Sequence, residues 1–243
     1  MNYHPNGINH HPDNNMLLEY ASGSLNRAHS LVVSAHLQLC NECTAQLKLL
    51  NGIGGALLDT VSSDSSTMEP SMSEQQTQAF SRLMERINAA EKAPQESNEA
   101  STAVLPRPPS DPIFKHVPPV VDKLIRTNGK LKWQRLSRGL KEALLKTGQQ
   151  RHQVSFHRIA PGSKVAEHGH CGKEITMVLY GSFSDADGVY TLGDFLVREP
   201  GETHRPTATQ DEECLCLSVV EAPVTLTGLL GKLINPFLTI KPQ

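Results

Sequence analysis

Two groups of residues in this chain have the types and the spacing of metal ligands. The first is His36-x3-Cys40-x2-Cys43. On a helix, positions i, i+4 and i+7 share one face, so one imidazole and two thiols converge even if the helix runs unbroken. Zinc closes a structural site with four nitrogen or sulfur ligands in a tetrahedron, and this spacing supplies three of them. The fourth must come from elsewhere, and His4, His10, His11 and His29 are the upstream candidates. A Cys-x-x-Cys redox pair, or two buried thiols beside an incidental histidine, are the alternatives.

The second group is Pro161-Gly162-x5-His168-x-His170-x3-Glu174-x6-Gly181. Residues two apart on a strand point to one face, so His168 and His170 can bind a single ion. Gly172 permits a bend before Glu174 opens the next apolar run, and His204, after the turn Glu199-Pro200-Gly201, offers a fourth ligand. Three imidazoles and a carboxylate suit zinc, iron, manganese, nickel or copper, and intrinsic affinity does not choose among them. Cys214 and Cys216 lie two apart on a probable strand, too close for an unstrained disulfide. They are core thiols, or a redox-sensitive pair beside the metal. Cys171, between two ligands, is oxidisable if exposed.

The elements that must position these groups fall into two sets. Asp13 can cap a helix carrying Met16, Leu17 and Tyr20 that stops at Gly23. Ser24 can cap a second, with Leu25, Ala28, Val32, Ala35, His36 and Leu39 at helical period. Residues 59–72 form a polar loop. Ser73 and Gln76 make a capping box for a helix over 73–92, whose Phe80, Leu83, Met84 and Ile87 form an apolar stripe with little local sequence to pack on, so it either docks back on the first helices or is offered to a partner groove. Residues 93–112 carry five prolines and almost nothing to bury, which makes them a linker.

Beyond the linker the runs at 154–159, 175–183, 190–197 and 214–220 read as strands, separated by turns and not by helices, as in an antiparallel sandwich or barrel. Ahead of them, residues 115–151 hold ten Lys and Arg against two Asp and Glu. They read as the solvated face of edge strands, with a polyanion contact as the alternative. The tail from Leu226 to Phe237 is apolar at helical spacing, broken by Gly228, Gly231 and Pro236, and too short to cross a bilayer; it reads as packed on the barrel, with a membrane-surface or dimer contact as the alternative.

Charge is balanced, at 23 Lys and Arg against 25 Asp and Glu, which excludes a generic polyanion binder and an acid-rich tail. No run of 18 or more apolar residues predicts a membrane span and residues 1–15 show no secretory signal, and the odd count of five cysteines points to reduced thiols or metal ligands in the cytoplasm.

The string LLEYASGSL followed by His36-Leu-Gln-Leu-Cys40-Asn-Glu-Cys43 resembles the zinc-containing anti-sigma domain of ChrR-type bacterial transcription regulators. In that family a histidine about 25 residues ahead completes the zinc site, and His11 holds that place. The resemblance implies that the helix at 73–92 packs with the others around an extracytoplasmic-function sigma factor, and so gives the Phe80, Leu83, Met84 and Ile87 stripe a partner. The second string looks like the cupin signature: its first motif fits throughout, while its second has proline at 200, one place late, and Ala208 where asparagine is usual. ChrR-type regulators carry such a cupin-like domain at their C-terminus.

The resulting expectation is a two-domain α + β chain. Residues 1–92 form a small helical zinc-binding anti-sigma domain, 93–112 a flexible linker, and 113–243 an antiparallel cupin β-barrel. Zinc sits on His11, His36, Cys40 and Cys43; zinc or another divalent transition metal sits on His168, His170, Glu174 and His204. The cytoplasmic chain sequesters the sigma factor, binds no nucleic acid itself, and lets go on an oxidative signal, for the family singlet oxygen in particular, sensed by the cupin. No catalytic residue is expected. The alternative is a dioxygenase-like cupin metalloenzyme with an N-terminal targeting module.

Overall fold

Asp13 caps the first helix as its spacing predicts, its carboxylate accepting from the Met16 N–H at 2.7 Å, and α1 runs Asn14–Ala21 before Gly23 turns at φ 73°. The computed structural model describes residues 7–63, 74–92, 111–227, 235 and 239–242. His4, Ser73, the segment 93–110 and most of the apolar tail lie outside them. Helix α2 spans Arg27–Leu37 and is capped by Asn26 in place of Ser24: the Asn26 Oδ1 accepts from the His29 N–H at 3.0 Å, while the Ser24 hydroxyl turns back to the Glu19 carbonyl. Helix α3 spans Asn41–Ser63 and overruns the loop expected from residue 59, because no glycine or proline interrupts 56–63. Helix α4 covers Glu74–Lys92.

The basic stretch does not open on a strand. Pro118 and Pro119 start a helix, α5, over Pro119–Asn128, proline being tolerated in a first turn where its missing N–H has no partner to lose. Edge strands β1 (Trp133–Arg135) and β2 (Leu140–Leu144) follow, and Lys115, Lys123, Arg126, Lys130, Lys132, Arg135 and Arg138 are all exposed.

The remaining strands are β3 (Gln153–Ile159), β4 (His168–His170), β5 (Glu174–Tyr180), β6 (Ser182–Ser184), β7 (Val189–Thr191), β8 (Phe195–Arg198), β9 (Thr203–His204), β10 (Thr207–Ala208), β11 (Cys214–Val220) and β12 (Val224–Leu226). Two of the long runs read from sequence are each divided by a left-handed glycine, Gly181 at φ 64° and Gly193 at φ 91°. The strands form three antiparallel sheets, β1-β2-β3-β11-β5-β8, β10-β6-β7 and β12-β4-β9, and not one closed hydrogen-bonded ring. The cupin-like fold expected from the sequence is present in this form.

All seven residues of β11 are buried, which explains its uninterrupted apolar run: both faces of a central strand are covered. Leu215, Leu217 and Val219, with Ile175, Met177, Val154 and Phe156 of the flanking strands, share a core with Val32, Val33 and Ala35 of α2. Each fully buried valine there stabilises the packing by about 1.5–3 kcal/mol. Cys214 and Cys216 face the other way, into the cupin interior.

Contacts therefore divide the chain differently from composition. Met1–Gly52 groups with Pro108–Gln243, and Ile53–Arg107 forms the second unit. Composition changes at 92 and 112, but α2 packs on β5 and β11 of the six-stranded sheet and α1 packs on α2. In the second unit, the end of α3 and α4 leave apolar side chains in water: Leu58 is 71% and Leu83 50% exposed, and Phe80 and Met84 are exposed too. The side chain of Ile87 is outside the described residues.

A polar clasp joins α2 to the sheet domain. His29 Nε2 lies 3.5 Å from the Glu221 carboxylate, which also approaches His152 Nε2 at 3.6 Å. Burial, with His152 adding, pushes His29 down to about 4 from its ordinary 6.5. An unfolded His29 thus takes up its proton as pH falls from about 6.5 to 4 while the folded one resists, so the fold loses stability through that window. Melting at saturating zinc is expected to show a fall in Tm of several degrees between pH 7 and 5. His29→Gln should make that fall shallower; an unchanged slope would show that His29 does not carry it.

Candidate metal centres

The first tetrad assembles from four places. His11 precedes the α1 cap, His36 sits in the last turn of α2, Cys40 lies between helices, and Cys43 is in the first turn of α3. His11 Nδ1 is 3.4 Å from both sulfurs, and His36 Nε2 is 3.3 Å from the Cys43 sulfur. Tetrahedral zinc with bonds of about 2.0–2.3 Å has ligand–ligand edges of about 3.3–3.8 Å. The helix break at Cys40 makes this possible; an unbroken helix would have kept three ligands on one face but not wrapped them around a point.

Protonation suits a cation too. The Gly193 carbonyl can only accept, so the His36 Nδ1 at 2.8 Å donates to it and Nε2 is left with its lone pair toward the cysteines. Burial holds His36 near 4, hence neutral. Burial, with Cys40 beside it, pushes the Cys43 thiol up to about 12 without a cation, so a bound metal is what would ionise both thiols. The set is consistent with a zinc site. Of the other upstream candidates, His10 turns its ring toward Tyr190, and His29 belongs to the Glu221 clasp.

His29, His152 and Glu221 also come within ligand distance of one another. The Asn26 amide donates to His29 Nδ1 at 2.7 Å, since its oxygen is committed to the His29 N–H. Nε2 of the neutral ring therefore carries the proton and offers no lone pair, so this group is a polar clasp of a neutral imidazole facing the Glu221 carboxylate.

The second tetrad is also brought together. His168 and His204 are direct cross-strand partners on β4 and β9, His170 follows on the same face of β4, and Glu174 begins β5. His168 Nε2 faces His204 Nε2 at 3.0 Å, and His170 Nδ1 is 3.1 Å from the Glu174 carboxylate. The outer nitrogens are held: His168 Nδ1 donates to the Ala166 carbonyl at 2.9 Å, and His204 Nδ1 lies 3.2 Å from the Asp185 carboxylate. These bonds set the tautomers that turn Nε2 lone pairs inward, the usual support of a metal-bound imidazole. Burial, then His168, pushes His204 down to about 4. Burial favours a neutral Glu174, but the His170 imidazole and the Ser218 hydroxyl at 2.6 Å outweigh it and hold Glu174 below the usual carboxylate range. His170 Nε2 and Glu174 Oε2 are buried with no hydrogen-bond partner. Such orphaned atoms beside two facing lone pairs fit a divalent cation.

A cavity of about 480 Å³ adjoins this tetrad, with His168, Glu174 and His204 in one wall and Leu140, Ile159 and Phe183 among its apolar lining. Cys216 reaches it as well, with its sulfur 3.6 Å from that of Cys214; both thiols are buried, whereas Cys171 is exposed. Sequence reasoning missed the residues behind the ligands: Asp185, Asp194 and Arg198. Each is an ordinary charged residue in the sequence, and only the fold shows two of those carboxylates fully buried.

Residues 121–223 match the family described as the ChrR cupin-like domain. The anti-sigma-E factor ChrR of Cereibacter sphaeroides is 31% identical over 233 residues, covering 96% of this chain and 99% of that protein. Among solved structures, a chain in the crystal structure of Rhodobacter sphaeroides SigE in complex with the anti-sigma ChrR aligns with a TM-score of 0.64 and 30% identity. That alignment covers 88% of this chain and 99% of the other.

Proposed function

We propose a function from one premise: this chain belongs to the ChrR-type anti-sigma factors, which end in a cupin-like domain. It acts as an anti-sigma factor. Its N-terminal region, residues 1–92, sequesters an extracytoplasmic-function sigma factor, and Phe80, Leu83, Met84 and Ile87 of α4 contribute to the contact. The observation that carries this reading is the exposed apolar face of α4, in a chain that aligns almost end to end with a protein crystallised with its sigma factor. Leu49, Ile53, Leu57 and Leu58 extend exposed apolar surface along α3. Apolar patches of this kind on a soluble protein mark contact sites.

In the same reading zinc occupies the His11, His36, Cys40 and Cys43 tetrad, and zinc or another divalent transition metal occupies His168, His170, Glu174 and His204. The cupin-like domain senses an oxidative signal, singlet oxygen or a related species, and release follows. Oxidisable imidazoles around the second tetrad and the exposed Cys171 among them support that assignment. The protein works in the cytoplasm and leaves DNA contact to the sigma factor; no described helix is long and apolar enough to cross a membrane.

The test is co-purification of the full chain with the candidate sigma factor, beside a sigma-dependent reporter with and without photosensitised oxidant. Failure to associate would sink the anti-sigma reading, and association without induction would sink the sensing part. The purified chain is expected to carry two metal ions, and His168→Ala or Glu174→Ala only one, read by elemental analysis. An unchanged content in both variants would remove the second centre.

The cavity beside the second tetrad favours a second reading, a dioxygenase-like metalloenzyme with the N-terminal helices as a targeting module. Oxygen uptake by the iron-loaded chain with a small metabolite would decide for it; a chain that consumes none under any metal decides against.

A further inference from the structure

The zinc tetrad's ligands all come from residues 11–43, yet much of what holds them comes from the cupin-like domain. The turn between β7 and β8 supplies two supports. Gly193 accepts from His36 through its carbonyl. Asp194, fully buried, accepts the N–H groups of Asn9 and His10 at 2.8 and 3.0 Å through Oδ1, and the N–H and hydroxyl of Thr191 through Oδ2. The Phe195 N–H then donates to the His10 carbonyl at 3.0 Å, next to the ligand His11. Gly193 also meets Ile8: a Cβ built there would fall 2.5 Å from the Ile8 Cδ1.

From the same strand a polar path runs to the second tetrad. Its ligand His204 contacts Asp185 through Nδ1. Arg198, at the far end of β8, donates through Nη2 to Asp185 at 2.7 Å and to the Tyr190 hydroxyl at 3.3 Å. The Tyr190 ring packs edge-on against His10, centroids 4.8 Å apart. Asp185 has no exposed side-chain area; the Arg198 guanidinium pairs with its charge, and the Asp187 N–H donates to its Oδ1 at 3.0 Å. Arg198 and Phe195 bracket one four-residue strand, about 10 Å long at the usual rise.

We infer that the two metal centres are coupled, through His204, Asp185, Arg198, Tyr190 and His10, so that the state of the cupin tetrad sets how firmly the zinc tetrad is held. This rests on the reading above that both tetrads hold metal. A metal on His204 fixes the ring whose Nδ1 anchors Asp185, and with it the Arg198 fork. Without the metal the ring is held only by its Asp185 and His168 contacts, so Asp185 and Arg198 have a less firmly fixed partner and Tyr190 a looser support under His10. Tyr190, Arg198 and Asp185 are positioning residues, which act on zinc only through the segment carrying His11.

The test uses the full chain loaded with cobalt(II). Thiolate-to-cobalt absorption reports the Cys40–Cys43 tetrad alone, since the other set contains no sulfur ligand, and its decay after adding EDTA gives the rate of metal loss. Removing a residue that supports a metal ligand changes metal retention by about 10–100-fold. His168→Ala, which lies outside the path, is expected to speed the decay about tenfold. In a Tyr190→Phe background, which keeps the ring and removes only the hydroxyl, His168→Ala should add less than about twofold, with Arg198→Lys as a second background. Equal acceleration in all backgrounds, or none in any, overturns the coupling. A parent chain that binds one cobalt ion overturns both this and the two-centre reading, whereas two ions with an unaltered factor overturn the coupling alone.

Discussion

A Cys43→Ser chain is expected to purify with one metal ion fewer and without its grip on the sigma factor. Structural zinc in small domains contributes on the order of 10–16 kcal/mol of apparent folding free energy, against a net stability of roughly 5–15 kcal/mol for a whole domain. Here the metal is what ties three separate elements together: the segment before α1, the end of α2 and the start of α3. Serine leaves the Cys40 thiol and two imidazoles without the fourth donor. The loss should be local, because α2 keeps Val32 and Val33 buried on the sheet. Circular dichroism should lose helix and keep strand, and the reporter should become constitutive. A Cys43→Ser chain that still held its partner after chelation would end the structural-zinc assignment.

The second large effect is expected from a change that leaves the fold untouched. Leu83 is half exposed on α4, so Leu83→Glu removes little buried area and adds a charge where water already reaches. In a sigma complex the same carboxylate would be desolvated in an apolar contact. Truncating a residue at the centre of an interface costs about 2–4 kcal/mol, and a buried unpaired charge is at least as harmful, so affinity should fall by at least about thirtyfold. Met84→Glu should act alike. Metal content and Tm should match those of the parent. Unaltered affinity in both variants would place the contact elsewhere and point to the exposed apolar residues of α3.

Three ligands of each set are legible because they are local in sequence. His168, His170 and Glu174 stand within seven residues, and the strand and turn that carry them are set by alternation and glycine. His204 was found from its place after a turn. His11 was not: spacing left four candidates open, and the choice among them came from family resemblance. What sequence did not disclose was support from afar. Nothing near Gly193 or Asp194 marks them as neighbours of a zinc ligand, because that contact follows from α2 docking on the sheet. The apolar face of α2 was readable, but not which surface would cover it. In the same way residues 115–151 read as the face of edge strands, whereas the fixed backbone angle of proline suits Pro119 to the first turn of a helix.

The bond between His36 and Gly193 closes a loop of 157 residues, and this has a consequence during synthesis. A ribosome adding about 5–20 residues per second needs roughly 10–30 s to travel from one to the other. Over that interval the nascent chain already carries both cysteines and both histidines of the first tetrad, but not the turn that braces them. Val32, Val33 and Ala35 have no sheet to cover them until β5 and β11 emerge. The newborn helices thus pass through a period with more apolar surface than the finished protein presents, and a partner or chaperone present at translation meets that surface first.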